Sequence, residues 1–275
     1  GLPAALGGDD LTPSDIAVVL EEVGRAGVVI PALETFGLGV LPIVTLGTGE
    51  QQKRLLSGIE DGRILTAALA EPGSPLPLEP TVRLDGGKLT GTTTSVRYAA
   101  QARSVLVPAS TPEGAVLVVV APDAPGVTLT PTLGSLGVPE YAMRFEATGV
   151  DDDDVLRGSG EEPVLVTFRR LVLAACLAHG DGLVSGALDM TAGYLKEREQ
   201  FGKPLGSFQA VQQELADVYI VSQTLHVLAQ SVAWRISEGL VGPADRYETD
   251  PVIGAYWLAS EGPRAVQVLH HLPGG

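Results

Sequence analysis

Along residues 13–26, PSDIAVVLEEVGRA, apolar side chains fall at Ile16, Val19, Leu20 and Val23. That spacing lays them on one face and predicts an amphipathic helix opened by Pro13 and Ser14. A second helix is expected over about 28–42. In LGTGEQQKRLLSGIEDGR, Thr48 can cap a short helix that ends near Gly58. From about 63 to 160 the texture changes. ILTAALAE, TVRLDGGKLTG, SVLVPAS, AVLVVVAP, GVTLTPTL and YAMRFEATGV are brief β-rich runs punctuated by Gly, Pro and Asp-Gly. Helical spacing returns at 162–198, 205–239 and 249–271, separated by FGKPLG and GLVGPADRYETD, which predicts an antiparallel bundle. The expected fold is α+β in three domains: helical over 1–62, β-barrel-like over 63–161 and a helix bundle over 162–275.

Composition narrows the function classes. The 275 residues are 45% apolar and only 19% charged, which excludes a disordered tail and allows a large core. A net charge of −15 opposes phosphate backbones, so no nucleic-acid partner is expected. No uninterrupted apolar run reaches the roughly 18 to 20 residues of a membrane span, and GLPAALGGDD has neither a basic segment nor a cleavage pattern. These features predict a cytoplasmic protein without a membrane span. Cys176 lies in the apolar run LVLAACLA and reads as an inert core thiol. The acidic run at 151–154 reads as a solvated turn, because four consecutive side chains cannot all face one ion. His179, His226, His270 and His271 show no ligand spacing with Cys or carboxylates, so no metal site is predicted and the first two read as packed or surface histidines.

Several strings then point the same way. YLKEREQFGKPLGSFQAVQQELADVYI at 194–220 is the most specific. LGTGEQQKRLLSGIEDGR at 46–63, AEPGS at 70–74, DGGKLTG at 85–91 and the diglycine at 274–275 support it. Together with the α, β, α order they resemble acyl-CoA dehydrogenases over almost the whole chain. The resemblance implies FAD as cofactor and α,β-dehydrogenation of an acyl-CoA thioester. In that reaction a carboxylate takes the α-proton while the β-hydrogen leaves as hydride to the flavin, since no side chain accepts hydride. It also implies that each flavin lies at a subunit interface, its ring on one β domain and its ADP half on the neighbour's helices. The chain resembles a stretch that begins inside the family's N-terminal domain, so both end domains are expected to be incomplete.

The two halves of that site read differently. For the ADP half, the resemblance assigns Arg198, Phe201, Gln209, His271, Gly274 and Gly275. Arg198 and Phe201 are expected on one helix, sharing a face, with the guanidinium on the pyrophosphate. His271 stands where a Gln is usual. The ring-facing half departs from the pattern. Ala70 replaces the Thr before Glu71, and Pro75 replaces an Asp and has no N–H. In Thr93-Thr94-Ser95-Val96-Arg97 the usual Trp and Thr are missing. The family's catalytic Glu stands either just before a conserved Arg or in a loop well beyond the diglycine. Here Arg170 matches the conserved Arg and Arg169 precedes it, a side chain that cannot accept a proton, while the second position lies beyond Gly275.

The leading expectation is therefore the non-catalytic, half-site subunit of a heteromeric acyl-CoA dehydrogenase. It would pair with a second such subunit as an α2β2 heterotetramer, on a bulky, steroid-type acyl-CoA, with an electron-transfer flavoprotein or similar acceptor. The alternatives are a homotetrameric enzyme with its Glu beyond Gly275, and a non-enzymatic helical scaffold.

Overall fold

Thr12, one residue earlier than expected, opens the first helix. Its hydroxyl accepts from Asp15 N–H while its own N–H donates to Asp15 Oδ2 at 2.7 Å, a reciprocal cap for α1, Pro13–Arg25. The computed structural model describes residues 8–10, 12–158, 160, 162–240 and 249–274. The second helix starts later than 28, because Val29 and Ile30 are exposed and the first i→i+4 bond runs from Thr35 N–H to Pro31 O. It spans Leu33–Leu46 (α2) and is π-helical over Leu33–Val40. Pro42 explains the wide turn: it cannot donate to Leu38, and its ring would press on that carbonyl in a regular helix. Thr48 caps α3, Gly49–Leu56, through a reciprocal pair with Gln51.

By packing, the chain falls into two compact units. The first holds Val29–Val172. Its ten strands are β1 Ile64–Ala67, β2 Ala70–Glu71, β3 Ser74–Pro75, β4 Arg83–Asp85, β5 Lys88–Arg97, β6 Ala102–Thr111, β7 Gly114–Val120, β8 Val127–Thr132, β9 Glu140–Gly149 and β10 Val155–Leu156. They form one mixed sheet in which β1 and β4 run parallel to β6 and the other pairings are antiparallel. Inward positions Val82, Leu89, Val96, Val105, Val107, Val118, Met143 and Phe145 form its core. The β5 strand breaks register against β9 twice, between Leu89 and Gly91 and between Thr93 and Val96. The second irregularity places Ser95 at φ +56°, left-handed and exposed. The acidic run forms an exposed turn, as expected, tied by Arg157 to Asp152 at 2.7 Å and by Arg54 to Asp154 at 2.7 Å.

The second unit joins Thr12–Val28 to the chain from Leu173 onward. Its long helices are α4 Val164–Glu197, which enters from the first unit, α5 Gln209–Ser237 and α6 Thr249–His271. Glycine brings α1 against α4. A Cβ on Gly182 would sit 1.9 Å from Glu21 O, one on Gly186 2.2 Å from Arg25 O, and one on Gly24 2.3 Å from His179 O. Ser14 and Ser237 bond at 2.9 Å where α1 meets α5. Contrary to the sequence expectation, α4 is long and apolar enough to cross a membrane, with mean hydropathy 1.6 over its most apolar 18 residues. Interior packing accounts for that composition, since 56% of the window is buried. Cys176, on the same helix, is only partly buried.

Candidate functional site

The sequence expected Arg198 and Phe201 on one helix, but α4 ends at Glu197 and a hairpin follows. Gly202 and Pro204 stop the helix: glycine favours a left-handed turn, and Pro204 has no N–H to donate. Glu199 pairs with Pro204 and Gln200 with Lys203, which leaves Phe201 and Gly202 as a two-residue loop (β11 Glu199–Gln200, β12 Lys203–Pro204). Their φ values are +55° and +78°, the type I′ geometry of tight hairpins. Gly202 adopts it freely, whereas a bulky L-residue at that φ is strained. Phe201 is nevertheless 90% exposed, touching the Phe208 ring edge-on at 6.2 Å, and Lys203 Nζ lies 4.2 Å from the centre of that ring. Folding gains little from a strained, exposed phenylalanine; such outliers cluster where ligands bind.

Around the tip, Arg198 N–H closes the last turn of α4 on Tyr194 O at 2.9 Å, and Arg198 O accepts from Leu205 N–H at 2.8 Å. Its backbone is fixed while its side chain is exposed. Among the described residues no carboxylate pairs with its guanidinium, Glu197 and Glu199 included. Gln209, the first residue of α5, is exposed at the same corner. Packing positions 177 with 254, 180 with 258 and 184 with 262 show that α4 and α6 run parallel. Following both onward at about 1.5 Å per residue brings His271 to the same end of the bundle as Arg198. His271 is exposed, and Gly274 follows with φ +96°. Gly275 lies outside the described residues.

In the first unit, the altered ring-facing residues have structural roles of their own. The Glu71 carboxylate is buried and accepts from Thr81 N–H at 2.7 Å, Thr81 Oγ1 at 2.6 Å and Val82 N–H at 3.0 Å. Ala70 and Pro75 pair across the β2–β3 hairpin. Arg97 extends to Glu34 of α2, Nη1 to Oε1 3.7 Å, and Glu34 is 4% exposed. Tyr98, next in the chain, adopts φ +56°; burial raises its hydroxyl pKa, and the Glu34 charge adds to the shift. The Thr93 hydroxyl is buried without a hydrogen-bond partner. Position 97 thus carries a guanidinium beside a buried carboxylate and position 95 a serine on an exposed bulge, with no aromatic ring at either, whereas the bundle corner presents an exposed cation, ring and amide.

Arg169 is half-buried at the start of α4. Beside it Arg170 is 6% exposed and grips Glu162 through Nη1 at 3.0 Å and Nη2 at 2.5 Å, with Thr167 also bonded to that carboxylate. Burial alone would raise the Glu162 pKa, but the bonds from Arg170 and Thr167 and the guanidinium charge outweigh it and hold the carboxyl below its ordinary range. A carboxylate so engaged is a poor proton acceptor. Sequence reasoning missed this pair and the Arg97–Glu34 pair; the Thr167-to-Arg170 spacing, one helical turn, was the available sign of the first.

A helical and sheet architecture with a cationic, aromatic corner after the first bundle helix is that of the flavoprotein dehydrogenases of acyl thioesters. Residues 1–63 match the acyl-CoA dehydrogenase N-terminal domain and 166–248 the acyl-CoA dehydrogenase C-terminal domain. The chain belongs to the acyl-CoA dehydrogenase family, whose cofactor is FAD. It is 45% identical over 274 residues to acyl-CoA dehydrogenase FadE28 of Mycobacterium tuberculosis, covering 100% of this chain and 77% of that protein. FadE27 of the same organism is 34% identical, over 99% of this chain and 74% of its own length. Among solved structures, a variant of the Tcur3481–Tcur3483 steroid acyl-CoA dehydrogenase superposes with TM-score 0.87 at 34% identity, and the ChsE4–ChsE5 complex from M. tuberculosis with 0.87 at 32%. Each covers 100% of this chain and is itself covered over 73% of its length.

Proposed function

We propose that this chain is the half-site subunit of a heteromeric, FAD-dependent acyl-CoA dehydrogenase. It gives Arg198, Phe201, Gln209, His271, Gly274 and Gly275 to the ADP half of a flavin whose ring rests on a partner subunit, and by itself it is inactive. The reading is carried by the asymmetry between the two halves: Arg198 is exposed with no carboxylate on it among the described residues and Phe201 keeps 90% of its surface open, while Arg97, at a ring-facing position of the family pattern, lies 3.7 Å from the buried Glu34. Arg169, which cannot accept a proton, occupies one position of the catalytic Glu.

An unpaired apolar stripe supports a partner chain. Ile220, Val227 and Trp234 recur every seven residues along α5 and are 60%, 65% and 53% exposed. A run of exposed large apolar side chains along one helix face is a common mark of a protein-protein contact. The named ChsE4–ChsE5 and Tcur3481–Tcur3483 structures favour a second acyl-CoA dehydrogenase subunit in an α2β2 assembly and a steroid-type acyl-CoA as substrate. An electron-transfer flavoprotein or similar acceptor and a cytoplasmic location complete the reading, with domains dividing at 62/63 and 161/162.

The test is Arg198→Ala in the full chain co-expressed with its partner. Losing charge-assisted hydrogen bonds to a pyrophosphate costs about 1.5 to 3 kcal/mol, or roughly tenfold or more in FAD affinity. Apo-chain melting should stay nearly unchanged, since the guanidinium has no carboxylate partner. Full flavin occupancy at unchanged affinity refutes the role. A chain that purifies yellow alone and reduces a dye with an acyl-CoA favours the homotetrameric alternative, with its Glu beyond Gly275.

A further inference from the structure

Three helices of the second unit converge on one imidazole. His226 of α5 places Nδ1 2.9 Å from Asp181 Oδ2 of α4 and 3.6 Å from Glu21 Oε1 of α1. The three ligand-type atoms all lie within 4.8 Å of one another. Asp181 and His226 also line a cavity of about 590 Å³ with Arg25, Asp189, Tyr219 and Gln223. Asp181 is 1% exposed, and among the described residues its second oxygen, Oδ1, has no hydrogen-bond partner. A carboxyl oxygen buried without a partner is costly, so a group that bonds to it there is favoured.

The charge balance points the same way. Arg25 lies 2.9 Å from Glu21, 3.5 Å from Glu22 and 3.2 Å from Asp189, three carboxylates on one guanidinium among the described residues. Arg25 therefore keeps two carboxylates if Glu21 turns toward another cation. We propose that Glu21, Asp181 and His226 form a site for a first-row divalent cation, open on the cavity side for water. Two carboxylates and one imidazole are a donor set for Zn²⁺, Co²⁺ or Mn²⁺. With bonds near 2.1 Å around a tetrahedral ion, donor atoms sit about 3.4 Å apart, so the His226–Glu21 separation already suits it, while the His226–Asp181 pair at 2.9 Å opens by about half an ångström. Gln230 supplies the outer support: its amide nitrogen is 2.8 Å from His226 Nε2. Turning that amide over presents its oxygen to an Nε2–H, the tautomer that leaves Nδ1 free for the ion. The site uses none of the residues assigned to FAD.

The full chain, stripped with chelator, is titrated with Zn²⁺ by calorimetry and with Co²⁺ by its visible ligand-field bands. The expected result is one equivalent bound with micromolar or tighter affinity, weakened about tenfold or more in both Asp181→Asn and His226→Gln. His226→Gln keeps a hydrogen-bonding side chain at a position 33% exposed, so it carries the test if Asp181→Asn does not fold. No saturable binding to the unmodified chain, or binding of equal strength in the folded variants, overturns the site.

Discussion

Phe201→Gly separates folding from cofactor binding at one residue. In the native chain Phe201 holds φ +55°, which costs an L-residue about 1 to 2 kcal/mol and a glycine almost nothing. The substitution relieves that strain but forfeits the edge-on contact with Phe208 at 6.2 Å, about 0.5 to 1.5 kcal/mol. It also gives the unfolded chain more freedom, by up to about 1 kcal/mol. These terms nearly cancel, so the apo chain should melt within about 4 °C of the unmodified one. Binding behaves differently. A ring that is 90% exposed in the chain has almost its whole surface left to bury against a cofactor, worth about 1.5 to 3 kcal/mol. FAD affinity of the co-expressed complex should therefore fall roughly 10- to 150-fold, measured by quenching of flavin fluorescence on titration into apo-complex. An unchanged FAD affinity, with or without a change in melting, would show that the strained ring does not face the cofactor.

Two further predictions concern stability. Gly182→Ala puts a Cβ 1.9 Å from Glu21 O and 2.9 Å from Arg25 N, backbone atoms that cannot yield without moving α1. It should cost about 2 to 3 kcal/mol, seen as a melting temperature lower by roughly 5 to 10 °C; a neutral result would mean that the close crossing of α1 and α4 is not formed in solution. Glu162→Gln removes a carboxylate whose folded pKa is depressed, so its contribution is present above the unfolded value near pH 4.3 and disappears as pH falls through the folded value. The variant should be less stable than the native chain by about 3 kcal/mol at neutral pH and approach it in acid; parallel pH–stability curves would contradict the pairing with Arg170.

Contacts between near neighbours in the sequence were the readable ones. The Thr48–Gln51 cap and the 3.6-residue spacing of α1, α5 and α6 depend on residues a turn or two apart, so pattern alone places them. The π-helical stretch of α2 escaped because its cause, Pro42, follows the turn that it widens. At the bundle corner proposed for the flavin the resemblance selected the residues, yet their geometry was misread. Continuing the helical period through Arg198 and Phe201 ignored the Gly202 and Pro204 that favour a hairpin.

Pairing across long separations was out of reach altogether. Arg97 reads as a lost threonine until the fold brings it to Glu34, 63 positions earlier, and Glu21, Asp181 and His226 show no ligand spacing because each arrives on a different helix. The difference bears on function. A missing Trp or Thr at positions 95 and 97 says only that something has gone. A guanidinium 3.7 Å from a 4% exposed carboxylate says what replaced it, and displacing Arg97 would take from Glu34 its ion-pair partner among the described residues. Restoring a family-type threonine at 97 alone would therefore strand Glu34, so that substitution is expected to be tolerated better when Glu34 is changed with it.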